Sequence, residues 1–213
     1  MKNSGIIAYE GLPFVIVSLA LTIAAFFSGI TWLAIFLTAI TVFITCFFRN
    51  PQREFKDEEN LVISPADGKV IKIEDVDAEG TINGRFRKIS IFMNVFNVHV
   101  NRAAYGGTIE KIVYHKGKFL SANLDKASAE NERNEIMIRT PDGRTVWVVQ
   151  IAGLIARRIV CWTTGGATVA KGERIGLIRF GSRVEVFLPA DSRIVVKLDD
   201  KVRAGKTPLG YLS

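Results

Sequence analysis

Three residue types able to carry acyl chemistry stand in short, distinctive settings: an aspartate in SPADGK, a histidine in FNVHVNR and a serine in GLIRFGSRVEVFLP. Ser182 is a weak nucleophile until a base takes its proton. His99 can be that base, and Asp67 can fix the histidine tautomer. Each residue also has an ordinary reading. Aspartate before glycine is a common turn residue that bonds its own backbone, a histidine can end a wet strand, and Gly181-Ser182 can close a hairpin between the β-prone runs GLIRF and VEVFL. Glycine at 181 has no Cβ to obstruct attack on its carbonyl, so the same pair suits a peptide bond that does not survive. Residue types alone leave both readings open.

The chain has two histidines. Alternation along ISIFMNVFNVHVN puts Ile91, Met93, Val95, Asn97, His99 and Asn101 on one face of a single long strand, apolar at its start and polar at its end. Such a strand leaves the core and opens into a site. His115, among the lysines of YHKGKF, is expected at the surface or on a substrate side. Arg102, Lys116 and Lys118 are candidate contacts for phosphate or carboxylate. Cys46 and Cys161 show no metal or redox spacing. They are expected to be reduced core thiols, and no metal site is expected.

The elements that must hold these residues fall into two parts. From Gly11 to Phe48 there is no charge over 38 residues, a pattern that reads as membrane-embedded. One helix of that length would measure about 57 Å, against a hydrocarbon core of about 30 Å. Ser28-Gly29 offers a break, so residues 1–48 are expected to form a helical hairpin, with helices at about 12–27 and 30–48, spanning the bilayer or dipping into it. A cleaved signal peptide fits poorly, because the run is too long and no A-x-A pattern closes it.

Lys2 and Glu10 cancel, so the whole net charge of +7 lies beyond the apolar run. A basic and acidic linker, 49–60, follows. Arg49, Arg53 and Lys56 flank the membrane end, which by the positive-inside rule puts the rest of the chain in the cytoplasm. They also favour anionic head groups. Excess positive charge would suit nucleic acid as well, but membrane attachment makes a lipid surface the better reading.

Residues 61–213 are short β-prone runs separated by turn signals. LVISPADGKVIKIEDV reads as strand, turn, strand, with Pro65 and Asp67-Gly68 at the reversal, and PDGR marks another hairpin. FLSANLDKASAENER alone breaks the rhythm, as a loop or short helix. With 48% hydrophobic and 23% charged residues a packed core is expected. The fold expected is mainly β, a barrel or sandwich.

The stretches FFRNPQR, SPADGKV, IFMNVFNVHVNR, YHKGKFLSANLDKASAENERN, GLIARRIVCW and GERIGLIRFGSRVEVFLP run in order from about residue 47 to 190. In this the chain resembles the short prokaryotic phosphatidylserine decarboxylases. The resemblance implies a proenzyme that cuts itself between Gly181 and Ser182 into a β chain (1–181) and an α chain (182–213), which stay together as a heterodimer. It implies that Ser182 becomes a pyruvoyl group, with Asp67 and His99 completing the processing triad. The activity implied is decarboxylation of membrane phosphatidylserine to phosphatidylethanolamine and CO₂ through a substrate Schiff base. Longer members carry a second histidine where this chain has Phe96, and they cut within L-G-S-T rather than Phe180-Gly181-Ser182-Arg183. No role of that histidine carries over.

The archaeal ether-lipid analogue of the substrate stays open, as does a membrane serine hydrolase that uses Ser182 without breaking the chain. VISPADGKV and TVAKGERIGLI also resemble the hairpins of lipoyl- and biotinyl-type barrel-sandwich hybrids, which suggests a membrane adaptor without catalysis. M-K-M does not occur, and the one D-K-A, Asp125-Lys126-Ala127, falls in the stretch read as a loop or short helix rather than in a β-hairpin that would present a modified lysine.

Overall fold

The computed structural model describes residues 5–122, 127–154, 158–179 and 182–213. The chain divides into two compact units, Met1–Gln52 and Arg53–Ser213.

In the first unit two helices, α1 (Leu12–Phe27) and α2 (Thr31–Phe47), fold back on one another. Pro13 sits in the first turn of α1, where its missing N–H costs nothing. Gly29, at φ +76°, takes the left-handed conformation that reverses the chain. Helix hydroxyls are satisfied internally: Thr22 donates to the Ser18 carbonyl at 2.8 Å, Thr38 to Ala34 at 2.7 Å and Thr45 to Thr41 at 2.8 Å. Thr22 and Thr41 also meet across the pair at 3.0 Å. Large apolar side chains point outward, among them Ile16, Leu21, Phe26, Trp32 and Ile35. Cys46 is exposed on this apolar surface and is not a core thiol. The stretch Tyr9–Phe27 is long and apolar enough to cross a membrane, with mean hydropathy 2.0.

The second unit is mainly β. In chain order it comprises β1 (Leu61–Ile63), β2 (Gly68–Ala78), β3 (Gly84–Met93), β4 (Val100–Arg102), β5 (Gly107–His115), α3 (Ala127–Glu130), β6 (Arg133–Arg139), β7 (Thr145–Ala152) and β8 (Ile159–Cys161). Then come β9 (Thr168–Val169), β10 (Arg174–Ile178), β11 (Ser182–Pro189), β12 (Arg193–Ile194), β13 (Lys201–Val202) and β14 (Pro208–Tyr211). Eight strands form a curled half barrel in the order β13-β2-β3-β11-β7-β6-β5-β9. Two three-stranded sheets, β1-β14-β12 and β4-β10-β8, accompany it.

Three expectations about connectivity are corrected. GLIRF and VEVFL are not a hairpin: β10 pairs with β4 and β8, whereas β11 lies between β3 and β7 in the large sheet. Ser182 therefore opens a strand of the large sheet, whereas β10 before it belongs to another sheet. Likewise LVI and GKVIKIEDV do not pair, because β1 bonds to β14 and β2 to β3 and β13. The long strand 87–102 is broken in two by a turn at Asn94–Asn97. There the Asn94 amide donates to Asn97 Oδ1 at 2.8 Å, the Phe96 amide to Asn94 Oδ1 at 2.9 Å and the Asn97 amide to the Asn94 carbonyl at 3.0 Å. Asparagine side chains compete here with the strand ladder and win. The PDGR turn forms as expected, with Gly143 at φ +86° and the Thr140 amide donating to the Arg144 carbonyl at 2.9 Å.

Alternation along β11 sends Val184, Val186 and Leu188 into the main core with Ile89, Ile91 and Val148. The opposite face carries Arg183, Glu185 and Phe187, with Phe187 packed among Ile82, Phe86 and Trp147. Arg183 and Glu185 are buried and pair with each other at 2.9 Å, and Ser90 and Ser128 also bond to them.

Glycine at 176 is required by close approach. A Cβ there would lie 2.3 Å from the Val160 carbonyl oxygen and 2.8 Å from Gln150 Nε2. Gly176→Ala should cost about 1–3 kcal/mol by overpacking, read as a lower thermal midpoint; an unchanged midpoint would refute this account of the contact.

Candidate active site

Register places Ser182 first. As the opening residue of β11 it pairs with Met93, the last residue of β3, and with Ala152, the last of β7. β2 begins one residue after Asp67, and Lys69 pairs with Phe92, so Asp67 lies at the same end of the large sheet as Ser182. His99 immediately precedes β4, which is tied to both neighbours. The Ile178 amide donates to the His99 carbonyl at 3.3 Å, and the Arg102 amide to the Pro65 carbonyl at 2.9 Å. Three separate connections thus bring the three residues to one end of the domain. All are buried.

Their side-chain partners differ from the simple triad expectation. The carboxylate of Asp67 does not bond its own backbone as a turn aspartate would. It receives both terminal nitrogens of Arg53 (Nη1 on Oδ1, Nη2 on Oδ2 at 2.8 Å) and the Ala204 amide at 2.7 Å. Arg53 is largely covered and also donates to the Ala204 carbonyl at 2.8 Å, so its guanidinium is engaged within the β-rich unit. The His99 tautomer is set by backbone. Its Nδ1 lies 3.0 Å from the Asn97 carbonyl oxygen, which can only accept, so Nδ1 carries the proton and Nε2 is the basic nitrogen. Ser182 Oγ donates to the thioether sulfur of Met93 at 3.3 Å.

The surroundings are strongly basic. Arg102, buried, donates to the Gly172 carbonyl at 2.8 Å. Burial, and then the like charges of Arg174 and Arg53, lower its guanidinium to about 10. It still carries full charge at neutral pH. Gly205, at φ +65°, lets the backbone pass this side chain, since a Cβ would lie 2.6 Å from Arg102 Cδ. The other three residues expected at the substrate lie apart. His115 Nε2 lies 3.1 Å from Glu135 Oε2, and Glu135 also accepts from Arg133 at 2.9 Å. They line a cavity of about 420 Å³ with Lys88, Ser128 and Glu185. Lys116 is exposed, and Lys118 pairs with Glu130 at the surface.

Next to Ser182 runs a set of buried amides that sequence reasoning overlooked. Asn134 Nδ2 donates to Gln150 Oε1 at 3.0 Å, and Gln150 Nε2 to Asn101 Oδ1 at 2.9 Å. Asn101 Nδ2 approaches Met93 Sδ at 3.7 Å. The signal was present in the alternation: Gln150 shares the core parity of Val146 and Val148, and Asn134 that of Ile136 and Ile138. The role of Arg53 had no such signal, because its partner lies in another element. Cys161 is partly buried, and burial raises its thiol pKa, which agrees with an unreactive reduced thiol. Gly181 lies outside the described residues.

A family profile for phosphatidylserine decarboxylase matches residues 40–210. The chain is 52% identical over 211 residues to the phosphatidylserine decarboxylase proenzyme of Syntrophus aciditrophicus, covering 99% of each. It is 48% identical to that of Desulfotalea psychrophila over 97% of this chain and 96% of the relative. For the Magnetococcus marinus proenzyme the identity is 46%, over 100% and 98%. The β-rich unit carries a buried serine, histidine and aspartate at one end of the domain. This chain belongs to the phosphatidylserine decarboxylase family.

Removing Arg53 would leave the Asp67 carboxylate buried with one amide donor. Arg53→Ala should destabilise the domain by about 3 kcal/mol, and Asp67→Asn in that background should recover part of the loss. Additive losses in a denaturant-melt cycle would show that the pair is not coupled.

Proposed function

We propose that the chain is a proenzyme that cuts its own backbone between Gly181 and Ser182. It then decarboxylates phosphatidylserine to phosphatidylethanolamine and CO₂ with a pyruvoyl group made from Ser182. The observation that carries this reading is the position of Ser182. It is buried, opens a central strand of the large sheet, and shares its end of the domain with a buried histidine whose Nε2 is the basic nitrogen.

In the first step Ser182 Oγ attacks the Gly181 carbonyl carbon while its proton passes to His99 Nε2. The peptide C–N bond breaks, an ester forms at Oγ, and the Ser182 nitrogen becomes a free amine. Loss of the Cα proton then expels Oγ with the Gly181 carboxylate. The remaining enamine takes up one water and releases ammonia, so the sequence needs no oxidant or reductant. Asp67, fixed by Arg53 and the Ala204 amide, is assigned the support of this transfer from the same end of the domain.

The resulting group would have one heavy atom fewer than the serine it replaces, at a position whose register partners are Met93 and Ala152. A pyruvoyl group at residue 182 would supply a ketone able to take up the electron pair left as CO₂ departs from an amine-bearing substrate. We assign to His99 the return of a proton to carbon, for which its basic Nε2 is suited. Of the four expected contacts, Arg102, whose charge lies near Asp67, is the one proposed here for an anionic head group. The cut leaves β11 paired on both sides within the large sheet, so the 182–213 chain stays bound to the 1–181 chain without a covalent link.

The apolar helix pair supports a site held at the cell membrane, and the basic residues after it support a catalytic unit on the cytoplasmic side. The archaeal ether-linked serine lipid would meet the same chemistry, and assaying both lipids separates the two.

Ser182→Ala should run as one intact chain of 23.6 kDa with no decarboxylation. Wild type should give two fragments on a denaturing gel, the smaller with a blocked N-terminus. Normal turnover by the alanine variant would overturn the proposal. His99→Ala and Asp67→Ala should slow cleavage at least about 100-fold, followed by intact mass over time; prompt cleavage would remove either residue from the step.

A further inference from the structure

The hydroxyl of Ser182 rests on an unusual acceptor. A thioether sulfur accepts hydrogen bonds weakly, yet Met93 Sδ receives Ser182 Oγ at 3.3 Å in a fully buried site. A carbonyl or carboxylate there would hold the hydroxyl tightly and compete with any base. A sulfur keeps it in place while letting it go readily.

Methionine is also the most flexible of the apolar side chains, so a sulfur that positions anything must itself be held. Asn101 Nδ2 does this from 3.7 Å, and Asn101 is in turn fixed by Gln150, and Gln150 by Asn134. All four side chains are essentially inaccessible. The row crosses from β6 and β7 of the large sheet to β4 of a small one, bridging the two sheets to which β11 and β10 belong. Room for Gln150 exists because residue 176 is glycine. Burying three amides in an apolar interior is costly unless all are satisfied, and apolar residues would fill the same space. The ladder fits a need for position rather than for bulk.

We propose that Met93, held by the Asn101–Gln150–Asn134 ladder, is the rest for the Ser182 hydroxyl, and that these residues set the rate of chain self-cleavage. This rests on the reading of Ser182 as the self-cleaving residue. The contact belongs to the precursor alone, because Oγ departs with the Gly181 carboxylate and no hydroxyl remains on residue 182 afterwards. The ladder acts through Met93, so Asn101, Gln150 and Asn134 are positioning residues for processing.

The test is Met93→Leu in the full chain, a swap that keeps volume and removes the sulfur. Intact mass over a chase should show cleavage slowed tenfold or more, with the thermal midpoint close to wild type. Turnover per mole of carbonyl, titrated with a hydrazide on the fully cleaved fraction, should stay within twofold. Met93→Gln, which restores an acceptor at similar reach, should recover part of the cleavage rate. Cleavage by Met93→Leu at the wild-type rate would overturn the proposal, as would equal losses in cleavage and in turnover per carbonyl, which mark a merely structural role. Failure of the self-cleavage reading itself shows differently, as an uncut wild-type chain or a cut Ser182→Ala chain.

Discussion

The insertion of β11 between β3 and β7 is the constraint on which the site depends. Seven of its eight residues are buried, and the alternation of the strand fixes Val184, Val186 and Leu188 in the core. Residue 182 has no freedom to slip, since a one-residue shift would exchange the apolar face for Arg183 and Glu185. The buried Arg183–Glu185 pair strengthens that choice. Placed on the core side it would lose Ser90 and Ser128 as partners and leave charges in an apolar interior. Register thus sets Ser182 opposite Met93 and Ala152, at the edge where β10 has just left another sheet.

Around that fixed point the electrostatics are arranged in layers. One buried carboxylate, Asp67, lies among Arg53, Arg102 and Arg174, and two of these guanidinium groups are close enough to depress that of Arg102. The excess of positive charge is tolerable because the cations are also anchored on backbone carbonyls, Arg102 on Gly172 and Arg53 on Ala204. Such an enclosure favours anionic species: the carboxylate present, a developing oxyanion, or the acidic head group of a substrate. Tautomer control is separate from this field, since Asn97 supplies it by a carbonyl at 3.0 Å.

Sequence patterning revealed the β-rich class, the apolar helix pair and the PDGR turn, because these depend on local periodicity and turn chemistry. It also singled out Asp67, His99 and Ser182 as residue types, and the family resemblance gave them roles. What it misjudged was pairing. β10 and β11 are adjacent in sequence with strand-like patterns, and only long-range packing sends them to different sheets. The Asn94–Asn97 turn was hidden inside an alternating run whose parity continues on either side of it. Arg53 was read from its neighbours as a lipid contact, whereas its partner lies 14 residues on and beyond a strand. Gln150 and Asn134 were legible in principle, as polar residues at core parity, and were passed over for lack of reactive chemistry.

The same contrast separates contacts that serve the precursor from those that outlast it. Asp67 with Arg53 and Ala204, and His99 with Asn97, involve no atom that self-cleavage would remove, so they can serve both chain processing and later proton transfer. The bond from Ser182 Oγ to Met93 involves the one side-chain atom that the proposed conversion transfers away. Residue 182 would then keep its place through backbone pairing alone, with Met93 and Ala152 as a small, largely apolar wall beside it. A site built this way need not be optimal for both reactions at once. The polar anchor would act first and disappear, and the group that replaces it would meet a less polar surface, in which a ketone's electron demand is less screened by competing hydrogen bonds.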